Sequence, residues 1–169
     1  LGLDIDYSFC LENVREIVER ASRYGIFVNM DMEDSKRLQP SFDILDELSK
    51  EYDNFGTVIQ AYFHAAEEDL KKYQNFRLRI VKGAYKEPEE IAYQDKNDID
   101  ANFIKLIEWH LLNGKFTSIA THDHNVINHV KDFVRANNIP KDKFEFQMLY
   151  GFRKDMQLKL AGEGYNFCT

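Results

Sequence analysis

An incomplete (β/α)8 barrel of the TIM type is the α/β fold this sequence predicts, and three observations carry it. Strand-like and helix-like runs alternate without exception along the 169 residues, which implies right-handed crossovers and a parallel sheet. No Gly-x-Gly-x-x-Gly follows any strand-like run, which weakens the doubly wound dinucleotide fold, the other architecture that the alternation allows. Polar residues recur where each run ends: Asp31, Gln60, Arg79 with Lys82, Thr121 with His122, and Glu145 with Gln147. Barrel enzymes keep their chemistry at those strand ends.

Taken in order, Ser8 is the expected cap of a first helix whose apolar positions Cys10, Val14, Ile17, Val18 and Ala21 follow the helical period, with Gly25 as its stop. A short β-type run over 26–31 breaks at Met32-Glu33-Asp34-Ser35. Pro40 suits the first turn of the next helix, whose buried stripe is Phe42, Ile44, Leu45 and Leu48. Asp53-Asn54-Phe55-Gly56 is turn chemistry before a strand over 57–62, and a short charged helix spans 65–73. The stretch 78–85 reads as a buried strand ending in a glycine-alanine turn, and a polar loop follows over 86–98. An amphipathic helix over 99–112 ends at Asn113-Gly114. A strand over 116–121 leads to a helix over 125–134 that buries Val126, Ile127, Val130 and Phe133. A strand over 144–149, a helix over 153–160 and the beginning of a sixth strand after Gly164 complete the chain.

Composition narrows the function classes. Hydrophobic residues make up 44% and aromatic residues 14%, as in a chain that buries a core. The net charge is −7 with no basic block, which argues against nucleic acid and against a polybasic membrane patch. No run approaches the ~20 apolar residues of a membrane span, and no signal peptide is read. Cys10 and Cys168 stand far apart and outside any metal spacing, as expected of reduced thiols in an intracellular protein. A start at Leu-Gly-Leu and a stop inside a strand read as a piece of something longer.

The stretch Leu78-Arg79-Ile80-Val81-Lys82-Gly83-Ala84-Tyr85 is unusual because it places two cations in a strand context. Alternation puts Arg79 and Val81 on one face and Ile80 and Lys82 on the other. An unpaired buried cation is costly, so each needs a carboxylate from a neighbouring strand or a polar ligand at the strand end. Three chemistries compete. His122-Asp123-His124 could hold a catalytic metal in a barrel hydrolase. Lys82 could form a Schiff base, with Arg79 depressing its pKa. Asp31, at a strand end, could pair with a cation of the central stretch, while Glu33 or Asp34 serves as a solvated helix cap.

Five motifs in sequence order settle on one family. Asp31-Met32-Glu33-Asp34, Val58-Ile59-Gln60-Ala61-Tyr62, Arg79-Ile80-Val81-Lys82-Gly83-Ala84-Tyr85, Ala120-Thr121-His122-Asp123 and Phe144-Glu145-Phe146-Gln147-Met148-Leu149-Tyr150-Gly151 resemble successive strand motifs of proline dehydrogenases, the monofunctional bacterial type most closely. The resemblance implies a distorted barrel holding FAD noncovalently at its strand ends. It also implies oxidation of L-proline to Δ1-pyrroline-5-carboxylate, the first step of proline catabolism, with hydride transfer to flavin N5 and electrons passed to a membrane quinone. By the same resemblance, Asp31 and Arg79 match the active-site acidic and basic positions, with Arg79 beside flavin N5. Met32, Gln60, Lys82, Gly83, Ala84, Thr121 and His122 match flavin contacts, Gly83 and Ala84 leaving room for ring and phosphates. A cytoplasmic protein, peripheral at the inner face of the cell membrane, is the corresponding location.

The chain also departs from that pattern. The family clamps the proline carboxylate with two adjacent arginines on the last barrel helix, a bidentate chemistry that no arginine pair here supplies. The family's earlier strand lysine is missing as well. The expectation is therefore the middle of the barrel, one partial domain over 1–169 with about five full strand-helix units, inactive alone and prone to self-association through open edges. A non-catalytic barrel fragment is the remaining alternative.

Overall fold

The computed structural model describes residues 1–169. Six parallel strands lie in sequence order, each beside its predecessor: β1 (Val28–Met30), β2 (Phe55–Gln60), β3 (Arg77–Val81), β4 (Phe116–Ala120), β5 (Phe144–Gln147) and β6 (Phe167–Cys168). A doubly wound sheet reverses its strand order at a switch point. The unbroken order here is that of a barrel wall. Helices α1 (Tyr7–Ser22), α2 (Ser35–Leu48), α3 (Ala66–Lys72), α4 (Lys96–Asn113), α5 (His124–Ala136) and α6 (Lys154–Gly162) alternate with the strands. The chain divides into two compact units, Leu1–Val58 with Ala84–Glu87, and Ile59–Gly83 with Pro88–Thr169.

In the first unit, α1 is capped by Asp6, whose carboxylate accepts from the Phe9 N–H. Ser8, the expected cap, already lies within the helix, because an ionised acceptor two residues earlier takes the orphan donor. Cys10, Val14 and Val18 are buried, whereas Ile17 is exposed. The Asn54 amide donates to the carbonyls of Ile26 and Val18, so the expected turn residue ties α1 to the start of β1. β2 begins at Phe55, earlier than the run of β-branched residues suggested, because β1 pairs with it from Val28↔Phe55 to Met30↔Thr57.

Helix α2 buries the expected stripe Phe42, Ile44, Leu45 and Leu48. Pro40, however, sits inside the helix rather than in its first turn. The helix starts earlier because Glu87 supplies the cap from 52 positions away: its two carboxylate oxygens accept from the Ser35 N–H and hydroxyl, both at 2.7 Å. Asp34, at the cap position, makes no capping bond and accepts instead from Arg37 at 2.6 Å. Glu87→Ala is expected to cost about 1–2 kcal/mol, seen as a lower urea midpoint with an unchanged m-value.

In the second unit the strands alternate as a barrel wall requires. Leu78 and Ile80 of β3, Thr117 and Ile119 of β4, and Phe144 and Phe146 of β5 are buried on one face. Helix α4 packs there through Phe103, Leu106, Ile107 and His110, and it begins earlier than its apolar pattern because Asp95 accepts from the Asn97 N–H. Helix α5 buries Val126, Ile127, Val130 and Val134, while Phe133 is only half-buried. The segment after β3 is not a free loop: Phe63 and Ala92 form an antiparallel bridge, and the Tyr93 N–H donates to the Tyr62 carbonyl at 2.8 Å.

His110 is fully buried, with Nδ1 2.8 Å from the Thr117 hydroxyl. Gly114 gives it room, since a Cβ there would stand 2.2 Å from Nε2. Burial lowers its pKa to about 4 against the opposing influence of the Gln74 carbonyl. The unfolded state takes up this proton near the ordinary value of 6.5 and the folded state only near 4, so stability falls as pH drops through that window. The expected loss between those limits is on the order of 3 kcal/mol. Urea midpoints measured across the window should fall in the wild-type chain and lose that component in His110→Gln.

Candidate active site

The site is built on the strand ends. On β3 the side chains of Arg77, Arg79 and Val81 take the face opposite Leu78 and Ile80. Arg77 lies over the Phe116 ring, 4.1 Å from its centroid, and donates to Glu145 Oε1 at 2.7 Å. Arg79 Nε donates to Gln147 Oε1 at 2.7 Å, while Gln147 Nε2 donates to Glu145 Oε1 at 2.6 Å. The Ser118 hydroxyl adds a third donor to that oxygen at 2.8 Å. Glu145 is only 8% exposed, so this convergence compensates a buried carboxylate with a cation and two neutral donors.

Lys82 follows β3 and keeps the Ile80 side. Its ammonium reaches Asp100 Oδ1 on α4 at 2.5 Å and stands 3.9 Å from Asp123 Oδ2. Burial raises the Asp100 pKa, but hydrogen bonds from Lys82 and Lys96 outweigh it and hold the carboxyl below the ordinary range. The two cations of the central stretch thus have carboxylate or amide partners on different sides of the strand. Carboxylates of the chain itself neutralise Arg77 and Lys82.

At the end of β2, Gln60 is buried. Beyond it Tyr62 donates its N–H to the Lys82 carbonyl at 2.9 Å. The ring of Tyr62 occupies the side of Gly83 where a Cβ would stand, 2.3 Å from Cδ1, and Gly83 has φ +111°. Glycine is therefore required here by the packing of Tyr62 as well as by the backbone. After β4, the Thr121 hydroxyl accepts from the Asp123 N–H, and Asp123 caps α5 through the Asn125 N–H. His122 Nε2 accepts from the Leu149 N–H at 3.0 Å, which leaves the proton of a neutral ring on Nδ1. His124 is exposed at the start of α5, and no group of three or more His, Cys, Asp or Glu side chains gathers into a metal site.

In the first unit, Asp31 and Met32 follow β1. Asp31 is exposed and accepts from the Asn29 amide at 3.0 Å, whereas Met32 is buried. Asp31 also lines a cavity of about 510 Å³ beside Leu3, Cys10, Asn29, Ile44 and Phe55. Ala84 is exposed. Sequence reasoning overlooked Asp100 and Glu87 as partners. Asp100 stands four positions after Lys96 on a helix, where an acid is an ordinary i,i+4 surface partner, and Glu87 lies in a polar segment without periodicity.

Parallel strands in sequence order, with an amide, two cations, a hydroxyl and an imidazole at consecutive C-terminal ends, define a domain of the (β/α)8 barrel class, incomplete here. The chain belongs to the proline dehydrogenase family: residues 2–169 match the family described as Proline dehydrogenase. It is 46% identical over 168 residues to proline dehydrogenase 2 of Bacillus subtilis (strain 168), covering 98% of this chain and 55% of that protein. It is 45% identical over 159 residues to proline dehydrogenase of Deinococcus radiodurans, covering 92% and 51%. A crystal structure of proline utilization A (PutA) from Bdellovibrio bacteriovorus superposes with TM-score 0.87 at 28% identity, over 97% of this chain and 20% of that one. The chain spans about half the length of the curated relatives it matches.

Gly83→Ala is expected to cost about 3 kcal/mol, since it combines overpacking against Tyr62 with a positive φ. A thermal melt of the variant reads this directly.

Proposed function

We propose that this chain is one partial barrel domain, residues 1–169, of a flavin-dependent enzyme that oxidises L-proline to Δ1-pyrroline-5-carboxylate. The observation that carries the reading is the row Gln60, Arg79, Lys82, Thr121 and His122 at successive strand ends, in a chain of the proline dehydrogenase family. The chemistry of this set fits FAD, whose ring presents carbonyl and nitrogen acceptors and whose phosphates are anionic. Gln60 would donate to the ring, Thr121 and the Nδ1–H of His122 to further acceptors, and the backbone at Lys82, Gly83 and Ala84 would pass close to the cofactor, with the Lys82 ammonium held by Asp100. Met32 would give an apolar contact. FAD, when bound, supplies the two-electron acceptor chemistry of the reaction.

The remaining roles belong to the chain itself. Arg79 would hold a fixed positive charge where the cofactor ring gains electron density, an electrostatic preorganisation that needs the guanidinium held still. Asp31 would balance and orient the cations around the substrate. The paired arginines that hold a carboxylate in the family are not in this sequence, so the chain alone is expected not to turn over proline. A membrane quinone would take the electrons onward. No helix is long and apolar enough to cross a membrane, and a cytoplasmic location at the membrane periphery suits that acceptor. The outer edges of β1 and β6 would support self-association.

A chimera tests the reading: this chain replaces the matched 168-residue stretch of the Bacillus subtilis relative. The expected product is a yellow protein that bleaches anaerobically on addition of L-proline, and Arg79→Met should slow bleaching at least ~100-fold, the scale of losing one preorganised electrostatic group. A colourless chimera, or a yellow one that L-proline leaves unbleached, would refute the assignment.

A further inference from the structure

We propose that Gln147 and Glu145 are positioning residues for Arg79, a role that rests on the reading of Arg79 as the active-site cation. An ionised carboxylate only accepts, so Glu145 Oε1, 2.6 Å from the Gln147 amide, must receive its NH2 group. That settles the amide orientation: Gln147 presents its oxygen to Arg79 Nε, 2.7 Å away. A flipped amide would set donor against donor at Arg79 and acceptor against acceptor at Glu145.

Three strands make the arrangement possible. Cα pairing sets Arg79 opposite Ser118, Ser118 opposite Glu145, and Ala120 opposite Gln147. Beyond Phe116, which lies under Arg77, the intervening strand offers a hydroxymethyl and a methyl on this face, so a long arginine crosses β4 to meet a side chain of β5. Glu145 is fixed in turn by Arg77 and Ser118, which donate to the same oxygen. Arg77 is itself pressed on the Phe116 ring. Rigidity passes from a packed pair (Arg77 and Phe116) through Glu145 and Gln147 to the guanidinium of Arg79. Gripping Nε leaves the orientation of the planar guanidinium defined. None of the family motif residues assigned above to catalysis or flavin binding includes Gln147 or Glu145.

The test has two arms. In the 15N-labelled chain, the Arg79 Nε–H resonance, assigned by its loss in Arg79→Lys, is expected to exchange with water about tenfold more slowly than that of an exposed arginine such as Arg23, the scale of a hydrogen bond to a charged group. Gln147→Leu should abolish that protection, while the exchange Glu145→Gln with Gln147→Glu, which keeps an acceptor for Arg79 and an amide–carboxylate pair between the two positions, should retain it. In the chimera, Gln147→Leu should slow proline-dependent bleaching about tenfold and the exchange Glu145→Gln with Gln147→Glu should restore most of it. An unprotected Arg79 Nε–H in wild type, or protection that survives in folded Gln147→Leu, overturns the inference. So does an unchanged bleaching rate in Gln147→Leu. If the wild-type chimera does not bleach, the flavoenzyme reading fails by itself, and the exchange measurement, which needs no flavin, still decides whether Gln147 holds Arg79.

Discussion

One carboxylate oxygen organises the inner face of the second unit. Glu145 Oε1 accepts from Arg77, Ser118 and Gln147 together. Without it, two arginines on a single face of β3 would stand in a partly dehydrated environment, where isolated charge is costly. With it, one cation is neutralised and the other is handed an oriented amide. Charge is thus placed on the sheet without depending on a ligand to hold it there. A site preorganised in this way loses little to reorganisation when a reacting group arrives.

The opposite face follows a separate logic. Lys82 turns toward the start of α4, where Asp100 sits between it and Lys96. The loop that leaves β3 is tied down by main-chain bonds, Tyr93 N–H to Tyr62 and His64 N–H to Ile91, and Tyr62 in turn covers Gly83. A segment without hydrophobic periodicity is therefore ordered by backbone pairing and one aromatic ring. In the first unit the same connection supplies Glu87, which starts α2. The polar loop after β3 is structural as much as functional.

Much of the architecture was legible in advance because period and punctuation are local properties. The alternation of elements, the buried stripe of α2 and the His110 face of α4 follow from side-chain spacing alone. Boundaries were less legible. β2 begins before its β-branched run because pairing with β1 recruits Phe55 and Gly56. Pro40 falls within α2 because a distant carboxylate, not a local signal, begins the helix. Among the candidate residues, Arg79 and Lys82 were separated correctly by strand alternation. Their partners were not assigned, since Gln147 lies 68 positions from Arg79 and Asp100 stands in another element.

The sequence by itself determined the class of fold, the family and the row of polar residues at the strand ends, all of which depend on the order and identity of neighbours along the chain. Only the tertiary structure decided which of those residues hold one another. Stagger between parallel strands lets Arg79 pass over Ser118 and Ala120 to Gln147, and no spacing rule encodes a diagonal across three strands. The reason is physical: periodicity fixes the face a side chain occupies, whereas hydrogen-bond partners depend on register, side-chain length and the size of whatever lies between.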